Sequence, residues 1–217
     1  MKLKQMVQGL LYISALAGAA QAMAADLNVA GRIQPSGACS LALGNGGVAD
    51  LGTLTSRDLK QDGVTSFYRE ISLSIDCQTP TRVAIKGLDN REGTVLGGET
   101  GIVGFGMGAA GGRNTGRYEL LPTNRWGDGK QLVHLVKSPR SGSGWSEWWV
   151  GSGAGNTWYT SANYLSSWAE PGQTSPQAFK KITSDLKFII RIAPASELDL
   201  SQEIAIDGSA TMELVYL

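Results

Sequence analysis

The chain has 217 residues, 42% of them hydrophobic and 18% charged, and its 19 basic residues balance 19 acidic ones. A net charge of zero, with the basic residues scattered singly, excludes the broad electrostatic pull on which nucleic-acid and anionic-lipid binding depend. Two cysteines and a single histidine, His134, are a poor supply for a four-ligand metal centre.

The first predicted element is not part of a fold. Lys2 and Lys4 form a basic lead, Leu10 to Ala20 form an apolar stretch of 11 residues, and Ala22-Met23-Ala24 offers a small-x-small exit. This is the pattern of a secretory signal peptide over residues 1–24, and its apolar stretch is shorter than the roughly 20 residues a membrane-spanning helix needs. The remaining residues, 25–217, are expected to be one exported, soluble domain, since no later apolar run approaches spanning length. Without Lys2 and Lys4 its formal charge falls to −2.

From there on the apolar residues recur with period two, so the expected class is all-β. "LNVAGRI" places Leu27, Val29 and Ile33 on one face. "REISLSIDC" sets Ile71, Leu73, Ile75 and Cys77 against Ser72, Ser74 and Asp76. "TRVAIKG" pairs Val83 with Ile85, "DLKFIIRIA" aligns Leu186, Phe188, Ile190 and Ile192, and "EIAIDGSATMELVYL" closes the chain. Each run has the length and half-buried pattern that a sandwich of two sheets requires. Residues 93–180 are rich in Gly, Ser, Asn and Trp, with "KQLVHLVKS" as their one clear strand. They are read as long loops and hairpins inserted into the sandwich.

Cys39 and Cys77 both lie in the exported part, where an even pair is most simply a disulfide. It would close a loop of 38 positions, worth roughly 4 kcal/mol in the chain-entropy model.

Motifs for chemistry are weak. Gly106 to Gly111, "GMGAAG", matches the dinucleotide fingerprint with Asp128 downstream. The following "GRNTGRYELLP" breaks the helix whose N-terminus would hold a pyrophosphate, so a glycine hairpin is expected instead. No serine sits in the G-x-S-x-G setting of a nucleophile elbow, and His134 within "LVHLV" reads as a filler of strand surface or core. No catalytic, cofactor or metal residue is assigned. A more distinctive feature is that Trp145, Trp148, Trp149, Trp158 and Trp168 fall within 24 residues, among Asn156, Tyr159, Asn163 and Tyr164. Such rings either pack the insertion or bind a glycan or protein through flat apolar faces beside hydrogen-bonding groups.

With these strands placed, "VAGRIQPSGACSL", "VADLGTL" and "ISLSIDCQTPTRVAIKG", followed at the far end by "DGSATMELVYL", resemble the subunits of chaperone–usher fimbriae. "DNREG" and the Trp/Gly-rich middle are similar to a fimbria-like exported bacterial family of unknown function. The matching features are the turn Asp50-Leu51-Gly52, the bridge positions Cys39 and Cys77, and the penultimate Tyr216 on an alternating last strand. Gly208, tenth from the end, departs from the family's usual position about 14 residues from the C-terminus.

The resemblance implies an immunoglobulin-like, pilin-type β-sandwich that lacks one strand. Met212, Leu214 and Tyr216 would then point into a partner-strand groove filled first by a periplasmic chaperone and later by another subunit at the outer-membrane usher. It implies a non-enzymatic fimbrial subunit at the cell surface. Only Ala25 and Asp26 precede Leu27, which suggests a minor or tip subunit with no strand to donate. The alternative is an exported glycan-binding module built on the tryptophans.

Overall fold

The computed structural model describes residues 38–98, 104–137, 144–147 and 165–217. The predicted signal peptide, the "LNVAGRI" strand, and Trp148, Trp149 and Trp158 lie outside these residues. The strands, in chain order, are β1 (Cys39–Leu43), β2 (Thr65–Thr81), β3 (Val83–Asp89), β4 (Phe105–Gly106), β5 (Ala109–Ala110), β6 (Arg113–Asn114), β7 (Gly116–Gly127), β8 (Lys130–Gln131), β9 (Val133–Lys137), β10 (Ser146–Glu147), β11 (Leu165–Ala169), β12 (Phe179–Ile192) and β13 (Ala210–Tyr216).

Two antiparallel sheets result. One runs β1-β2-β12-β7-β4 with β8 beside β7, the other runs β10-β9-β11-β3-β13, and β5 with β6 makes a separate hairpin. The alternation read from the sequence holds along the long strands. In β2, Ile71, Leu73, Ile75 and Cys77 are buried, and in β12 so are Leu186, Phe188, Ile190 and Ile192. These side chains meet Val83, Ile85 and Trp168 of the other sheet in one core, which makes the fold a β-sandwich. β3 and β9 differ from the half-buried expectation. Ala84 is sealed along with Val83 and Ile85, and His134 along with Leu135 and Val136, so both faces of these strands are covered.

The middle of the chain is not an addition to a finished sandwich, as the sequence suggested. β7 pairs with β12 from Gly116 to Gly127, and β9 and β11 occupy central places in the second sheet. Loop-like composition concealed them because glycine is required where strands pass closely. A Cβ on Gly127 would come within 2.8 Å of both Leu132 and Phe179 side chains, and one on Gly116 would meet the Arg191 carbonyl at 2.5 Å.

The second half of "GMGAAG" forms the expected hairpin, while Gly106 belongs to β4. Ala109 pairs with Asn114 and Ala110 with Arg113, joined by Gly111 and Gly112 at φ 56° and 77°. Positive φ at both central residues is the primed-turn geometry that fits strand twist. Asp128 belongs to a different device, accepting the Lys180 and Lys181 amides at 3.0 and 2.8 Å.

Candidate functional site

The disulfide forms where the strand register demands it. Cys39 stands directly opposite Cys77 in the β1–β2 ladder, with their Cα atoms 3.9 Å apart, and no described cysteine is left free. The Gln78 amide donates to the Ala38 carbonyl. Antiparallel pairs alternate between bonded and unbonded, so Ala38, Ser40 and Ala42 face β2 with their backbone groups. Cys39, Leu41 and Leu43 therefore turn their backbone groups away from β2, to the outer edge of the sheet, and their side chains toward the core.

β13 is organised in the same way. Among the described residues its partner strand is β3, and Asn90 donates to the Ser209 carbonyl while Leu217 donates to that of Arg82. By the same alternation, Ala210, Met212, Leu214 and Tyr216 carry their N–H and C=O groups on the open edge. The side chains of Met212 and Leu214, which the resemblance would place in a partner-strand groove, are half-buried against the core, as is that of Ala210. Tyr216 departs from that reading. It is 42% exposed, and its hydroxyl accepts the Cys39 amide at 2.8 Å instead of packing inward. The reason is its place near the end of the strand, where the ring reaches across to the edge of the other sheet.

Between these two edges lies a cleft of about 400 Å³. Leu43 and the 47–51 turn form one lip, Ala210 and Met212 the other, and Tyr118, Phe188 and Ile190 the floor. The sequence points to the β13 lip but not to the floor, although "GRYELLP" carries a period-two signal in Tyr118 and Leu120.

Local turns fix the lips. Asp50 Oδ1 accepts the Gly52 amide at 2.7 Å, with Gly52 at φ 66°, so Asp50-Leu51-Gly52 is a tight side-chain-capped turn. Arg91, in the "DNREG" turn, binds the Asp207 carboxylate at 2.6 Å and its carbonyl at 3.0 Å, holding the approach to β13. Gly208 is needed because a Cβ there would come 2.9 Å from the Tyr118 ring. Tyr118 itself stacks between Phe105 and Phe188, and burial beside Asp89 pushes its hydroxyl above the usual tyrosine range.

The tryptophans do not assemble into a face within the described residues. Trp168, a candidate ligand residue in the sequence, is 1% exposed within the core and offers no surface to a ligand. Its place in a central strand, between β9 and β3, is the reason. Trp145 is half-exposed just ahead of β10, while Trp126, outside the predicted cluster, is 48% exposed. His134 is fully buried, and burial, with Arg125 nearby, pulls its pKa down to about 3. Among the described residues no cluster of His, Cys, Asp and Glu is placed to hold a metal ion, and no helix is long and apolar enough to cross a membrane.

The fold and cleft therefore define an all-β sandwich with a disulfide-pinned strand and an apolar groove between two sheet edges that no other described strand pairs. In sequence, residues 27–133 match the model of a family described as a protein of unknown function (DUF1120). The chain is similar to two Escherichia coli (strain K12) proteins. The uncharacterized protein YhcF is 26% identical over 244 residues, across 99% of this chain and 98% of that protein. Protein GltF is 23% identical over 224 residues, across 88% of each.

Proposed function

We propose that this protein is a non-enzymatic, fimbrial-type exported subunit whose groove accepts an extended strand from a periplasmic chaperone and then from another subunit at an outer-membrane usher. The observation that carries this reading is a pair of strand edges left without a partner strand among the described residues. Backbone groups of Ala210 and Met212 on one lip, and of Leu43 on the other, flank an apolar cleft, and the two edges run on past it through Leu214 and Leu41. Unpaired strand edges over apolar surface are aggregation hazards, and an added strand would satisfy the edge groups while covering Tyr118, Phe188 and Ile190. The disulfide supports passage through an oxidising compartment. On this reading residues 1–24 are the leader and 25–217 the exported domain.

The test is co-expression in the periplasm with a chaperone of the chaperone–usher class. A one-to-one complex is expected, with slowed amide exchange at Met212 and Leu214. Met212→Glu should abolish the complex while the disulfide still forms, because a carboxylate would be carried into an apolar cleft. Recovery of the wild type only as a free monomer, with unchanged exchange at those amides, overturns the proposal.

A further inference from the structure

The groove is not the same at its two ends. Its open volume is lined by Leu43, the 47–51 turn, Ala210 and Met212 and stops short of Leu41, Cys39, Leu214 and Tyr216. At that second end, Cys39, Leu41 and Leu214 pack against the core, and the Tyr216 hydroxyl accepts the Cys39 amide. That amide is one of the outward-facing groups of β1, and the Tyr216 side chain leaves β13 on the same face as Met212 and Leu214 and reaches across to it. The hydrogen bond therefore spans the mouth between the lips, joining residues 177 positions apart. Cys39 is further fixed to β2 through its bond to Cys77. A strand entering from the Ala210 end can run along β13 only until it meets this crossing.

We propose that Tyr216 is an end-stop of the groove: its hydroxyl ties the β1 lip to the β13 lip and sets the register and length of the strand that can enter. This inference rests on the groove being a strand acceptor. The occupant is a short extended segment, alternately apolar, that uses the lip beside Ala210–Val215. At about 3.4 Å per residue that lip accommodates about six residues. Tyr216 acts as a positioning residue, since its hydroxyl limits the strand without supplying the apolar floor.

The experiment uses acetylated, amidated peptides of alternating Val and Thr, four, six, eight and ten residues long, titrated against the full exported protein. For the wild type, affinity should rise up to about six residues and then level off. For Tyr216→Phe, which removes only the hydroxyl, it should continue to rise, by about tenfold from six residues to ten. An identical length profile in both proteins, with peptide bound, overturns the end-stop and leaves the acceptor groove standing. Failure of every peptide to bind either protein removes the groove reading and the end-stop with it. Amide exchange at Cys39 gives a second readout that needs no variant. It should stay slow when the six-residue peptide is bound, and acceleration on binding overturns the proposal by showing that the crossing is displaced.

Discussion

Trp168 and His134 are direct cross-strand neighbours in the β11–β9 ladder, and their rings share one face of the sheet. They are 1% and 2% exposed, and among the described residues neither Trp168 Nε1 nor either imidazole nitrogen of His134 has a hydrogen-bond partner. An indole and an imidazole in this setting contribute apolar bulk, at the cost of desolvated polar atoms. The pairing fixes both residues as structural and makes the second sheet sensitive to acid.

Folding should therefore weaken as the pH falls. The His134 pKa drops from about 6.5 to about 3 on folding, so between those values the unfolded chain binds more protons than the folded one. Stability is fully present above 6.5 and is lost progressively toward pH 3. The contribution is on the order of a few kcal/mol, at about 1.4 kcal/mol per pH unit. Urea titrations at pH 7, 5 and 4 on wild type and His134→Leu check it. The variant should lose stability less steeply over this range and be no less stable at pH 7. Parallel slopes would show that His134 does not titrate with folding.

Trp168→Ala should cost about 3–5 kcal/mol, the range for deleting a buried aromatic side chain. Trp145, half-exposed, should cost well under half as much when changed to Ala. Denaturant midpoints of the two variants test whether the tryptophans are energetically separate, and equal losses would contradict the placement of Trp168 in the core.

Loss of the Cys39–Cys77 bond should destabilise the protein by about 2–5 kcal/mol. Among the described residues β1 pairs with β2 alone, so Cys77→Ser should release that edge first. Amide exchange at Ser40 and Ala42 should accelerate more than exchange in β12. Intact mass should show the native protein two hydrogens lighter than its reduced form. A free thiol in folded material would refute the bridge.

Gly116→Ala should destabilise by about 1–3 kcal/mol or more, as overpacking does, because the new methyl would meet the Arg191 carbonyl at 2.5 Å. Backbone cannot yield there without breaking the β7–β12 ladder. Gly63→Ala is the control. Its Cβ would find only the Lys60 side chain at 3.8 Å, and its stability should change by less than about 0.5 kcal/mol. Comparable thermal midpoints for the two variants would show that β7 does not run so close to β12.

The sequence by itself determined what is local. Period-two burial in β2 and β12 follows from alternating apolar residues, the Asp50-Leu51-Gly52 turn from an aspartate that caps its own backbone, and the glycine hairpin at 109–114 from residues that tolerate positive φ. A strand's faces are set by its own neighbours, so they are legible one residue at a time. Which strands adjoin is a different matter, because pairing depends on groups far apart in the chain. That β7 is a long strand of the first sheet, that β13 stands at an edge, and that the Tyr216 hydroxyl reaches Cys39 across 177 positions were decided only by the tertiary structure. The same holds for Trp168, whose ring is equally suited to a sugar or to a core and was assigned to the core by the strands on either side of it.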